Sequence, residues 1–171
     1  TGSFGGNYFT TAFAGTELNG VEYAFAPNDY VIGALFVADA TNIKALEYNL
    51  LIADGGGDFT LEVYNNETDA IAGVAPIGTT STITQDTDLF SIGTRFLFSS
   101  AIPVTYDGIY YIKLKSTNTY WNITCGDLMT ADPTNSYDSS GTLIESIYKY
   151  LDYYIYEDVA DTKVTINTTS Y

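Results

Sequence analysis

RFLFSSAIPVTYDGIYYIKLKS, residues 95–116, is the stretch that decides the fold. Phe96 and Phe98 alternate with Leu97, and the run passes through Ile102 and Pro103 to Asp107-Gly108. Tyr110, Ile112 and Leu114 then alternate with Tyr111, Lys113 and Lys115. A period of two marks strands with one buried face, so the stretch reads as two strands joined around a turn, a central hairpin. The glycine after Asp107 supplies the positive φ that a tight connection needs. In the second strand Tyr110, Ile112 and Leu114 point into a core while Lys113 and Lys115 reach water.

Outward from this centre the same pattern repeats. Residues 21–26 (VEYAFA), 30–38, 43–53 and 59–64 (FTLEVY) read as strands, with Pro27 at an edge or corner because it cannot donate to a ladder. Asp54-Gly55-Gly56-Gly57-Asp58 is a sharp turn. Residues 65–88 carry little periodicity and read as a long connection with one short strand near 71–75. Further strands are expected at 120–125 (YWNITC), at 142–150, at 151–157 (LDYYIYE) and at 161–167, with a loop over 126–141. Residues 1–20 form a Gly-loosened arm containing a strand around Tyr8, Phe9 and Phe13, closed by an Asn19-Gly20 turn signal.

Nine or ten short strands without helical blocks predict an all-β, two-sheet antiparallel β-sandwich, and a jelly roll fits best. The 16 Tyr and 9 Phe in 171 residues agree, since aromatic and β-branched side chains suit pleated, half-buried surfaces. Helix is expected only in short pieces. A chain of this length makes one domain with a sizeable core. It divides into an arm (1–20), the sandwich (21–158) and a tail strand (159–171).

The charge of −15, from 21 acidic and 6 basic residues, repels phosphate backbones and anionic membranes, so nucleic acid is not an expected partner. No apolar run approaches the length of a membrane-spanning helix. There is no histidine, and Cys125 is the only cysteine, expected as a small buried hydrophobe. These counts remove an internal disulfide, a cysteine metal cage, Ser-His-Asp and Cys-His nucleophiles and imidazole acid-base chemistry. Only carboxylates and tyrosines are left for catalysis, and the expectation is a protein that is not an enzyme. The start at Thr1, with Met129 the sole methionine, reads as a processed end after removal of a leader.

A Phe-Ala-Pro near the start, an apolar strand, FTLEVY, FLFSSAIPV, YDGIYYIKLKS and finally Gly141 with LDYYIYE resemble the jelly-roll, carbohydrate-binding-module-like units of phage tail and bacterial surface proteins. The resemblance covers residues 21–158 and rests on core and turn positions. It implies a jelly-roll fold and a role in glycan attachment, host recognition or assembly. The tryptophan that often precedes the last strand in such units is absent here.

Sugars stack on flat aromatic faces flanked by hydrogen-bonding groups. Trp121 with Tyr120 and Asn122, joined by Tyr137 from the adjacent loop, form the candidate glycan platform, against a core role for Trp121. Asp54, Asp58, Asp127, Asp132 and Asp138 lie in expected turns and are candidate Ca²⁺ ligands, against solvated turn carboxylates; calcium is the one candidate cofactor. Asn66, Asn122 and Asn167 open glycosylation sequons. The arm (Tyr8, Phe9, Phe13) and the tail (Val164, Ile166) are the candidate assembly elements, since an extended terminus that adds a strand to a neighbour joins copies by backbone hydrogen bonds. The expected role is a non-catalytic structural subunit of an extracellular filament or virion appendage, found outside the cell, on its surface or on a virion, with copies of itself as partners. The alternative is a carbohydrate- or receptor-binding module with surface glycans as partners.

Overall fold

The computed structural model of the chain describes residues 8–12, 22–37, 39–54, 57–80, 82–85, 89–118, 120–129, 134–146, 149–151 and 153–158. In order these give β1 (Tyr8–Ala12), β2 (Glu22–Phe25), β3 (Tyr30–Val37), β4 (Asn42–Asp54), β5 (Gly57–Tyr64), α1 (Glu67–Ala72), β6 (Gly78–Thr79) and β7 (Ile83–Gln85). There follow β8 (Leu89–Pro103), β9 (Gly108–Ser116), β10 (Tyr120–Met129), β11 (Asn135–Tyr137), β12 (Leu143–Ser146), β13 (Lys149–Leu151) and β14 (Tyr153–Asp158).

The strands form two antiparallel sheets packed face to face. The first contains the series β2-β10-β4-β8 and the second β3-β9-β5, with β6 and β7 both along the far edge of β5. If β6 and β7 count as one interrupted strand, this is the eight-strand order of a jelly roll. Within these eight strands the chain changes sheets between β2 and β3, β3 and β4, β4 and β5, β7 and β8, β8 and β9, and β9 and β10. The other strands are additions. β14 shares one edge of β4 with β10, lying along residues 45–48 while β10 lies along 50–54, and β1 pairs with β14. β13 borders β10, and β11 and β12 extend the second sheet beyond β3.

The alternation read from the sequence sets the core. Val31, Leu35, Phe59, Leu61, Val63, Ile112 and Leu114 point inward from the second sheet, and Leu46, Phe96, Phe98, Trp121 and Ile155 meet them from the first. Tyr153, also buried, crosses the gap: its hydroxyl accepts the Phe36 backbone N–H at 2.9 Å.

Residues 95–116 contain two strands, as expected, but not a hairpin. β8 pairs with β4 and β9 with β3 and β5, so the connection carries the chain from one sheet to the other. An arch and a hairpin leave the same alternation in sequence, because in both the apolar residues of each strand face the core. What distinguishes them is the bonding of the turn. Val104 N–H donates to Thr41 O and Asp107 N–H to Val37 O, which ties the turn to the β3–β4 corner. The positive φ lies at Asp107 (60°) and not at the glycine. Gly108 is required by space instead, since a Cβ there would sit 2.8 Å from Thr105 O.

The connection after β5 also differs from expectation. Residues 67–72 form a helix where a short strand was expected near 71–75. Asn66 caps it by accepting the Asp69 N–H at 2.8 Å, Glu67 and Asp69 place negative charge in the first turn, and Gly73 closes it with φ 71°. Six residues are too few to show a helical period. β10 runs on to Met129 and β11 occupies Asn135–Tyr137, so part of the expected loop 126–141 is strand.

Candidate functional site

The outer face of the second sheet is laid out in rows. Tyr137 on β11, Tyr30 on β3, Lys115 on β9 and Thr60 on β5 are cross-strand partners in one row; Asn135, Ile32, Lys113 and Glu62 make the next. The two lysines of β9, Lys113 and Lys115, were expected in water. Lys115 is, but Lys113 is only 6 % exposed because α1 lies over it. Its ammonium donates to Ala70 O in the helix at 2.8 Å and stands 4.2 Å from the centre of the Tyr30 ring and 6.0 Å from that of Tyr64. A helix carbonyl and two ring faces are suitable partners for a cation.

The tyrosines that floor the helix are bound in turn. Tyr30 stacks on Tyr137 with ring centres 5.2 Å apart. The Tyr137 hydroxyl and the Asn135 amide both donate to Glu67 Oε2, at 3.3 and 3.0 Å, and the Tyr64 hydroxyl donates to Glu62 Oε1 at 2.7 Å. Burial pushes the Tyr137 hydroxyl up to about 12, helped by the charge of Glu67. Burial likewise raises Tyr64, with Glu62 adding to it, and Tyr30, with Asp138 adding to it. Lys113 moves down, chiefly through desolvation, against an upward pull from Glu62 and with a further push down from Lys115.

Beside this covered patch, on the margin row, a cleft of about 420 Å³ opens. Its sides are formed by Tyr30, Lys115 and Thr60 of the row, by Thr82 from the segment before β7, by Asp58 from the start of β5, and by Asn28 from the β2–β3 corner. Main-chain bonds fix these walls. Asn28, at φ 68°, donates to Ser116 O at 2.7 Å, and Asp58 and Thr117 exchange bonds: Thr117 N–H to Asp58 O, and Asp58 N–H to Thr117 Oγ1, each at 3.0 Å. Lys115 is paired with Glu62 at 3.2 Å, and Asp58 Oδ1 accepts from the Thr84 hydroxyl at 2.8 Å. The walls therefore offer hydroxyls, an amide and a carboxylate, with the one ammonium already matched.

The residues singled out by sequence do not converge. Trp121 is fully buried: it packs against Phe25 (ring centres 4.7 Å apart) and meets Phe59 edge-on (5.8 Å), while Nε1 donates to Ala26 O at 3.2 Å. An indole whose faces are filled by neighbours in the core gives no plane to a sugar. Tyr137 lies on the other side of the second sheet, beneath α1, so the two do not form one platform. Tyr120 and Asn122 flank Trp121 on β10, opposite Asp54 and Ala24 respectively.

Of the five aspartates, Asp54 ends β4, Asp58 is the second residue of β5 and Asp127 lies within β10, so none of these three is in a turn; Asp132 lies outside the described residues. Asp138 closes the β11–β12 connection on itself. Its Oδ1 accepts from the Ser140 hydroxyl and N–H and from the Thr142 N–H, which holds its carboxyl below the usual range, the Ser140 hydroxyl contributing most. Among the described residues no three His, Cys, Asp or Glu side chains are grouped to hold a metal ion. Asn66 caps α1 and is exposed, Asn122 lies in β10, and Cys125 pairs with Leu151. Tyr8 and Phe9 lie in β1 opposite Asp158 and Glu157. Phe13, Val164, Ile166 and Asn167 fall outside the described residues.

The sequence did not single out Lys113 or the cleft. One signal was present: Tyr30, Tyr64 and Tyr111 sit at outward positions of strands read from the sequence, and several large rings on one outer face point to a covered surface. No family model matches the chain, and no curated protein shows significant similarity to it.

Proposed function

We propose that the chain is a non-catalytic structural subunit of an extracellular filament or virion appendage, joined to further copies through its terminal strands. The observation that carries this reading is the place of β1. It is supplied by the N-terminal region, lies outside the eight-strand jelly roll, and is held along β14 by a five-residue antiparallel register from Tyr8 opposite Asp158 to Ala12 opposite Tyr154. Backbone pairing does not depend on whether the incoming strand belongs to the same chain. The same ladder forms when β1 of one copy lies on β14 of the next, and such head-to-tail exchange builds closed rings or open filaments. The lack of histidine and the single cysteine leave little for catalysis, and the acidity suits a protein kept soluble outside a cell.

Negative-stain microscopy and sedimentation of the full chain and of a variant lacking residues 1–14 test this. Polymers or particles from the full chain, and folded monomers from the truncated one, are expected. Compact monomers from both would overturn the proposal. Repeating the experiment with EDTA brings in the aspartates: dissolution of the assemblies would make calcium part of the contact.

A further inference from the structure

We propose that residues 162–166 of one copy pair antiparallel with β12 of the next, with Lys163 opposite Glu145 and Val164 opposite Ile144. This contact rests on the assembly reading above and names the surface that receives the tail. β12 is the outermost strand of the second sheet, attached through β11, and among the described residues nothing pairs with its other edge. It carries a large apolar side chain on each face: Leu143 shares the outer face with its partner Tyr137, and Ile144 points the other way. Both are half exposed (53 % and 51 %). An edge strand with apolar residues on both faces is a template for a further strand.

Charge and register select the tail. Glu145 is exposed, and no cation stands within ion-pair distance of it among the described residues. Of the 6 basic residues of the chain, Lys44 donates to Ser99 O, Arg95 and Lys115 are paired with Glu47 and Glu62, Lys113 lies under α1, and Lys149 belongs to β13. Lys163 alone falls outside the described residues, in the alternating run Thr162-Lys163-Val164-Thr165-Ile166. With Lys163 opposite Glu145, Thr162 meets Ser146, Val164 meets Ile144 and Thr165 meets Leu143. Opposite charges, hydroxyls and β-branched side chains then face each other, the pairs that stabilise a ladder. Sliding the tail two residues one way sets Asp161 against Glu145; sliding it the other way sets Thr165 there and leaves the charge unmatched.

The tail of the same chain does not reach this register. β14 ends with the Asp158 N–H on Asn42 Oδ1, past the Val37 end of β3, whereas Glu145 lies two strands out from Val31. Val31 to Val37 rises about 20 Å, and the stretch from Asp158 to Lys163 spans at most about 17 Å. A second copy is under no such limit. A ladder this short is weak by itself, so it adds to the exchange of β1 and does not hold the truncated chain together.

The test uses two variants of the full chain, both with Cys125→Ser, one carrying Glu145→Cys and the other Lys163→Cys. Mixed and mildly oxidised, they are expected to give a disulfide-linked pair on non-reducing gels, while Glu145→Cys mixed with Asn167→Cys gives little. A charge swap needs no cysteine. Glu145→Lys should raise the protein concentration needed for polymer formation by about fivefold, and adding Lys163→Glu to the same chain should restore it. Polymers without the 145–163 cross-link, equal cross-linking at 167, or a double variant as impaired as Glu145→Lys would each overturn the contact and leave assembly through β1 standing. A cross-link between copies that form no polymers would support the contact and overturn assembly through β1. Monomers without a cross-link would overturn both.

Discussion

Trp121 shows what one side chain contributes here. It brings Phe25 of its own sheet and Phe59 of the facing one into a single contact, and its one polar atom is bonded to Ala26 O. Trp121→Ala should therefore cost about 3–5 kcal/mol, the range for deleting a large buried aromatic, read as a lower urea midpoint by circular dichroism. The tyrosines under α1 make a separate prediction at alkaline pH. Folded Tyr137 titrates near 12 and unfolded tyrosine near 10, so the fold retains a proton that the unfolded chain has lost. The stability it contributes is complete below pH 10 and disappears as pH rises from 10 to 12. Tyr30 and Tyr64 act in the same sense. Lys113, whose folded value lies below 10.5, acts in the opposite sense, with stability rising as pH approaches 10.5. Urea unfolding across this window should show a fall above pH 10 that is shallower in Tyr137→Phe.

Among the elements, α1 depends most on a few residues. Six residues cannot hold a helix alone, so the Asn66 cap, the Gly73 cap and the contacts to Lys113 and Glu67 must do so. Asn66→Ala should cost about 1 kcal/mol, seen in hydrogen exchange as faster opening of α1 while the core strands stay protected. Lys113 tests whether the buried charge is needed. It has no carboxylate within ion-pair distance among the described residues, so Lys113→Met, which keeps the stem and removes the charge, should leave stability within about 1 kcal/mol of the parent or raise it. Lys113→Ala, which also empties the space under the helix, should destabilise. Seven of the eight jelly-roll strands were legible because each has one face in a single core, and period two records that; the eighth, β6 with β7, falls in the stretch 65–88 that reads as a connection. The partner of each strand was not legible: Phe96 and Ile112 alternate in the same way whether their strands lie side by side or face each other. The helix was hidden for a different reason, since its evidence is capping chemistry spread over Asn66 to Gly73 in a stretch with no apolar period. The cleft was hidden because its walls come from β3, β5, β9 and the segment before β7, joined only by register.

At the scale of the whole molecule, pairings between distant parts of the chain dominate. Phe25 lies opposite Trp121 in the first sheet and Val37 opposite Gly108 in the second, so β2 finds its partner only when β10 arrives and β3 only when β9 arrives. Loops of this length must close before their contacts form, and refolding followed by the fluorescence of Trp121 should take milliseconds to seconds or longer. Added salt should raise the urea midpoint by screening the self-repulsion of −15. The register of β1 on β14 has one more consequence. Tyr8 and Asp158 are direct partners across antiparallel strands, so a two-residue Asn-Gly link from position 158 to position 8 would turn that pair into a hairpin. New termini can then be cut in the exposed connection at Ser139-Ser140. In such a circular permutant β1 is covalently bound to its own β14. If copies join by exchanging that strand, the permutant folds and stays monomeric.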